Sequence, residues 1–116
     1  GNTIKKETVL TEKTFSYRTN GQMFTMSLSD ILYIESLGNY MKLYSKKLKS
    51  PVIIYGSLSN IGEEITCSNF IQVHRSFIIN TKEITSVTFK SLTLSNGEII
   101  PVGRKYQILL DNISMR

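Results

Sequence analysis

Val73-His74-Arg75-Ser76-Phe77-Ile78-Ile79-Asn80 sets three polar side chains in a row inside an apolar run. Ile71-Gln72-Val73 before them and Phe77-Ile78-Ile79 after them have the β-branched and aromatic content of strands. A guanidinium held between two buried strands would be an unpaired charge, and burying one is expensive. The chain therefore has to surface at Arg75, so this stretch predicts two strands joined by a short outward break. An arginine on such a break suits an anion or the edge of a guanine, each of which accepts two hydrogen bonds side by side. A solvated turn arginine beside a hydrogen-bonded core histidine fits the same residues.

Working outward, the rest of the chain reads as more short strands separated by turn signals. Phe24, Met26 and Leu28 alternate with Met23, Thr25 and Ser27, the period of a half-buried strand. Asn20-Gly21 before it is a strong two-residue hairpin signal, and Asn96-Gly97 predicts a second hairpin of the same chemistry between Leu92-Thr93-Leu94 and Ile99-Ile100. Ser27 to Asp30 reads as a turn or a brief helical turn. Ile31 to Glu35 is too apolar to face water on both sides. In Tyr40 to Ser45, Met41 and Leu43 share one face, and Tyr40, Lys42 and Tyr44 form an aromatic-basic-aromatic stripe on the other. Such a stripe suits nucleic acid, and it equally suits cross-strand pairing. Val52 to Tyr55 reads as a central strand and Ile84 to Phe89 as another.

Two helices are expected. Ser57 is placed to cap the first, in which Leu58, Ile61 and Ile65 recur at helical spacing with Gly62 as a weak point. The second runs from Arg104 to Ile113, with Tyr106, Leu109, Leu110 and Ile113 on one face. Arg104 and Lys105 open it, where the helix dipole does not favour cations, so an anion at that point would be stabilising.

A chain of 116 residues, 41% hydrophobic and 20% charged, fits one soluble domain with its own core. Residues 1–13 read as a polar lead-in and 14–116 as the domain, a module cut from a longer protein. The single Cys67 excludes an internal disulfide, and with only one histidine a structural zinc site lacks ligands. Cys67 with His74 has no third group to complete a nucleophile-base arrangement. Glu63-Glu64 is an exposed helix edge, and no glycine pattern forms a phosphate loop. No enzyme chemistry, cofactor, metal or small-molecule substrate is therefore expected. No stretch has the length of a membrane span and no signal peptide opens the chain, so a cytoplasmic location is expected.

The net charge is +5. Between Glu35 and Glu63 the only charges are Lys42, Lys46, Lys47 and Lys49, of which Lys46, Lys47 and Lys49 share a turn suited to phosphates. Such a patch is the footprint of a nucleic-acid surface, and also that of an ordinary solvated face.

Tyr33-Ile34-Glu35-Ser36-Leu37-Gly38-Asn39-Tyr40, Gly56-Ser57-Leu58, Phe70 through Asn80 and Leu94 through Tyr106 resemble, in order and spacing, the blocks of the LytTR family of bacterial DNA-binding domains. The resemblance covers Thr14 to Ile113. It implies a mostly β fold, an elongated antiparallel sheet or sandwich with two short helices, that meets double-stranded DNA through loops in the major groove. It further implies base contacts from Asn39, Tyr40, Met41, Arg75 and Arg104, with Lys42, Ser76 and Lys105 near phosphates. His74 is either a direct contact or the residue that orients the Arg75 turn. Met41 has no hydrogen-bonding group, which shifts readout in that loop to Asn39 or to contact with a thymine methyl. The implied role is the output domain of a two-component response regulator. It would bind repeated promoter sites as a homodimer, under an upstream receiver or sensor domain. The rival is a β-domain that docks on a protein or an anionic membrane.

Overall fold

Ile31-Leu32-Tyr33-Ile34 are four consecutive buried residues. Successive strand side chains point to opposite faces, so the sheet that holds them is covered on both. The computed structural model describes residues 13–59, 61, 65 and 69–108. The strands among them are β1 (Thr14–Thr19), β2 (Gln22–Ser27), β3 (Ile31–Ser36), β4 (Tyr40–Ser45), β5 (Val52–Tyr55), β6 (Phe70–His74), β7 (Phe77–Asn80), β8 (Ile84–Val87), β9 (Ser91–Leu94) and β10 (Ile99–Pro101). They form a β1-β2 hairpin, a central sheet in the order β5-β4-β3-β7-β6 and a three-stranded sheet in the order β10-β9-β8. Every pairing is antiparallel. The molecule is elongated, 46 × 36 × 25 Å.

Two cores flank the central sheet. On one face Ile34, Met41, Leu43, Ile54, Phe70 and Ile78 pack with Phe15 of β1 and with Leu58 and Ile65. On the other, Tyr33, Val73 and Ile79 meet Leu92, Leu94 and Ile100 of the third sheet. The mostly β antiparallel architecture is thus the one expected. Tyr33 and Tyr44 stack with ring centroids 4.3 Å apart, and burial raises the Tyr33 phenol far above its ordinary range. Tyr44 of the aromatic-basic stripe therefore belongs to the core.

Several elements differ from the sequence expectation. Val52–Tyr55 is an edge strand, its apolar side turned to the first core, rather than a central one. Met23 and Phe24 of β2 are exposed, because they lie toward the turn end of the β1-β2 hairpin, beyond Phe15 and Met26 that pack on the first core, and Phe24 stacks on Tyr17. The strand from Ile84 stops at Val87. Asn20 and Gly21 both have positive φ, 54° and 77°, the two-residue turn that matches strand twist. The second hairpin is built otherwise. Only Gly97 is at positive φ there, and the Glu98 N–H donates to Asn96 Oδ1, closing a longer loop.

Leu58, Ser59, Ile61 and Ile65 are helical. Arg104–Tyr106 is a 3-10 turn rather than the first turn of an α-helix, leading into helical Gln107 and Ile108. The residue before it is Gly103, which has no side chain to cap the turn, and the Tyr106 N–H closes the tighter ring onto the Gly103 carbonyl at 2.9 Å. Cys67, Leu109, Leu110 and Ile113 lie outside the described residues.

At the end of the central sheet where β4 runs out, Ser95 Oγ donates to Glu83 Oε1 at 2.6 Å and Lys46 Nζ to Oε2 at 3.0 Å. The serine first, then the lysine, hold the Glu83 carboxyl below the usual carboxylate range. A carboxyl whose folded value is depressed contributes stability above its unfolded value and loses it as pH falls through the folded one. Glu83→Gln is expected to lower stability at neutral pH, with the deficit shrinking as the medium becomes more acidic than the usual carboxylate range. Melting profiles across pH check this, and a deficit independent of pH contradicts it.

Candidate nucleic-acid interface

Arg75 and Ser76 form the turn between β6 and β7, and Arg75 is exposed. The register between these strands slips at Val73, since Gln72 faces Ile78 while His74 faces Phe77. A bulge of this kind re-aims the side chains beyond it. The Ser76 N–H donates to His74 Nδ1 at 3.1 Å, and the half-buried imidazole sits edge-on to Phe77 with centroids 5.6 Å apart. That bond leaves the ring proton on Nε2 and ties His74 to the backbone of the turn that presents Arg75. Gln72 Nε2 donates to the His74 carbonyl at 3.2 Å and braces the other side.

Two neighbouring segments are bonded to this turn. The Ser36 N–H donates to the Ser76 carbonyl at 2.8 Å, fixing the β3–β4 loop beside it. In that loop Gly38 has φ of 92°, Leu37 N–H closes on the Tyr40 carbonyl, and Asn39 is left exposed with its carbonyl accepting from the Gly56 N–H at 3.0 Å. On the other side the Gly103 N–H donates to the Val73 carbonyl at 2.8 Å, which brings the exposed Arg104 and Lys105 next to the Arg75 hairpin. A Cβ on Gly103 would lie 3.7 Å from the His74 Cα, an ordinary contact, and 3.0 Å from Tyr106 Cδ2, so the Tyr106 ring would have to give by a few tenths of an ångström. Lys105 Nζ lies 5.3 Å from the centre of the Tyr106 ring, a cation–π distance.

The structure thus gathers Asn39, Arg75, Ser76, Arg104 and Lys105 at one end of the central sheet, with His74 behind them. Tyr40 is half-buried there, its ring 6.2 Å from that of Tyr55. Lys42 lies further along β4, half-buried and opposite Glu35. Met41 does not belong to the group. It is 1% exposed and packs in the first core, because the alternation that turns Tyr40 and Lys42 outward turns Met41 inward. The expected thymine contact from Met41 is corrected accordingly.

Lys46, Lys47 and Lys49 are not brought together with the arginines either. They follow β4 at its far end, roughly 17 Å from Tyr40 at strand rise, and Lys46 is the ion-pair partner of Glu83. The described carboxylates divide in the same way. Asp30, Glu83 and Glu98 cluster at the lysine end, where the Lys46 N–H meets the Asp30 carbonyl and Ser95 bridges to Glu83. Only Glu35 lies toward the arginine end, and it is half-buried. An exposed surface with two arginines and a lysine, held by backbone bonds and, among the described residues, poor in carboxylate, attracts a polyanion and presents planar donors to it.

Comparisons with known proteins bear on the family and the fold. A family model described as the LytTr DNA-binding domain matches residues 21–114. Over 86 residues the chain is 28% identical to the sensory transduction protein LytT of Bacillus anthracis, a match that takes in 70% of this chain and 34% of that protein. The chain therefore spans about a third of the length of that relative. The solved LytTr DNA-binding domain of a methyl-accepting/DNA response regulator from Bacillus cereus superposes with a TM-score of 0.71 at 23% identity, covering 85% of this chain and 94% of that one, which shows a common fold. With the family model spanning most of its length, the chain belongs to the LytTR DNA-binding domain family.

Proposed function

We propose that this domain binds double-stranded DNA sequence-specifically, as a binding module and not an enzyme, by setting the Leu37–Asn39 loop, the Arg75 turn and the Gly103–Lys105 turn into the major groove. The observation that carries the reading is that three segments distant in sequence are tied by backbone hydrogen bonds so that Asn39, Arg75 and Arg104 stand exposed at one end. Asparagine reads adenine and arginine reads guanine, each through paired hydrogen bonds. His74 acts here as the residue that positions Arg75.

In the full-length protein we place the domain as the transcriptional output of a cytoplasmic response regulator, under a receiver or sensor domain and paired with a second copy on repeated sites. Selection from random duplexes, then titration of selected and scrambled duplexes at two salt concentrations beside liposome flotation, tests the reading. A selected duplex bound more tightly than its scrambled counterpart at both salts is the expected result. Flotation with anionic liposomes and no preference among duplexes overturns it in favour of a membrane-docking domain.

A further inference from the structure

A fourth segment reaches the same end and was not legible as a contact, because the sequence reads as strand through Phe89. The chain instead turns at Thr88–Ser91, and the turn is closed several times over. The Thr88 N–H donates to the Ser91 carbonyl at 2.7 Å, the Ser91 N–H donates to Thr88 Oγ1 at 3.1 Å, and the two hydroxyl oxygens lie 3.0 Å apart. The Lys90 carbonyl accepts from the Val102 N–H at 2.9 Å. Val102 is two residues before Arg104, so the turn is bolted to the strand that delivers that arginine. At its tip Phe89 is 73% exposed and Lys90 is exposed beside it. Among the described residues Lys90 has no ion-pair partner, and no carboxylate stands in the turn itself.

We infer that the Thr88–Ser91 turn is a DNA-backbone clamp, in which Lys90 neutralises a phosphate flanking the base pair read by Arg104 and the Phe89 ring lies on the adjoining sugar. The inference rests on the proposed DNA binding and adds a contact to it. Lysine meets phosphate as a point charge and carries no base information. The hydrogen-bonded turn presents it with little loop ordering left to be done on binding. Phe89 offers an apolar face where the deoxyribose edge would lie, which accounts for a large exposed ring on a turn that has no need of it for packing.

The test uses the duplex selected by the parent domain and its scrambled counterpart, titrated across a salt series with Lys90→Ala, Lys90→Arg and Phe89→Ala after melting has shown each to be folded. Lys90→Ala is expected to weaken both duplexes by the same factor, roughly five- to tenfold near 0.1 M salt, and to lower the salt slope by about 0.9, the signature of one lost phosphate contact. Lys90→Arg should restore the slope. Phe89→Ala should weaken both duplexes without changing the slope.

A scan with single methylphosphonates locates the partner. One neutralised phosphate should weaken the parent yet leave Lys90→Ala unaffected, and it should flank the base pair at which Arg104→Ala relaxes preference. Parental affinity and slope in Lys90→Ala, with the parent still selective, overturns the clamp alone. Parental affinity in Phe89→Ala overturns the role of the ring and favours a protein partner there. A parent domain that binds no duplex overturns the DNA reading and the clamp with it.

Discussion

Met41→Ala is expected to cost about 2–5 kcal/mol of folding stability while leaving the DNA affinity of the folded fraction unchanged. The side chain is 1% exposed, pairs across the sheet with Ile54 and packs among Ile34, Leu43 and Phe70. Truncation removes buried methylenes and leaves a cavity that a sheet packed on both faces closes only in part. Met41→Leu keeps the volume and should cost under about 1.5 kcal/mol. Urea unfolding of the three proteins, with titration of a duplex against the active fraction, separates the two effects. Full stability with lost affinity would return Met41 to the DNA surface.

That residue marks where sequence reading reaches its limit. The β architecture was legible because it rests on local rules: alternation over Tyr40–Ser45, an unbroken apolar run at Ile31–Ile34, and an Asn-Gly turn whose two positive φ values the residue types favour. The surfacing of Arg75 was legible for a different reason, since no partner for a buried guanidinium stands next to it in the sequence. Met41 was misplaced because a family resemblance marks a loop by its neighbours, whereas the strand's own period decides which of three consecutive residues faces out. The same period, applied to Tyr40, Met41 and Lys42, already contained the right answer.

The lysines stand apart from the arginines for a non-local reason. Lys46, Lys47 and Lys49 look like a phosphate patch when charge is counted along the chain, yet β4 carries them to the opposite end of the sheet. There Glu83, thirty-seven positions on, takes up Lys46. No window around Lys46 contains that carboxylate. Lys90 is the converse case: an ordinary residue in sequence, brought beside Arg104 by one hydrogen bond to Val102. Which charges share a surface is settled by strand direction and by sheet order, and neither is written in local composition.

Arg75→Ala and Arg104→Ala should each cost about 1–3 kcal/mol on the selected duplex and much less on a scrambled one. Each side chain is exposed on a turn whose backbone is fixed from behind, Arg75 by the Ser76 to His74 bond and Arg104 by the Gly103 to Val73 bond. A guanidinium so held meets guanine O6 and N7 with two parallel donors, and a duplex lacking that guanine forfeits the pair. Lys47→Ala, at the far end, is expected to change affinity less than either arginine and to leave selectivity unchanged.

If the two arginines read separate base pairs, the double variant should lose close to the sum of the single losses, because well-separated base contacts add. Since one hydrogen bond joins their two turns, a loss well short of that sum would mean that the two side chains act on one site as a unit. Titration of both duplexes against the single and double variants across a salt series reads all of this at once. Equal losses on selected and scrambled duplexes, with a lowered salt slope, would make both arginines phosphate contacts and move base recognition to Asn39.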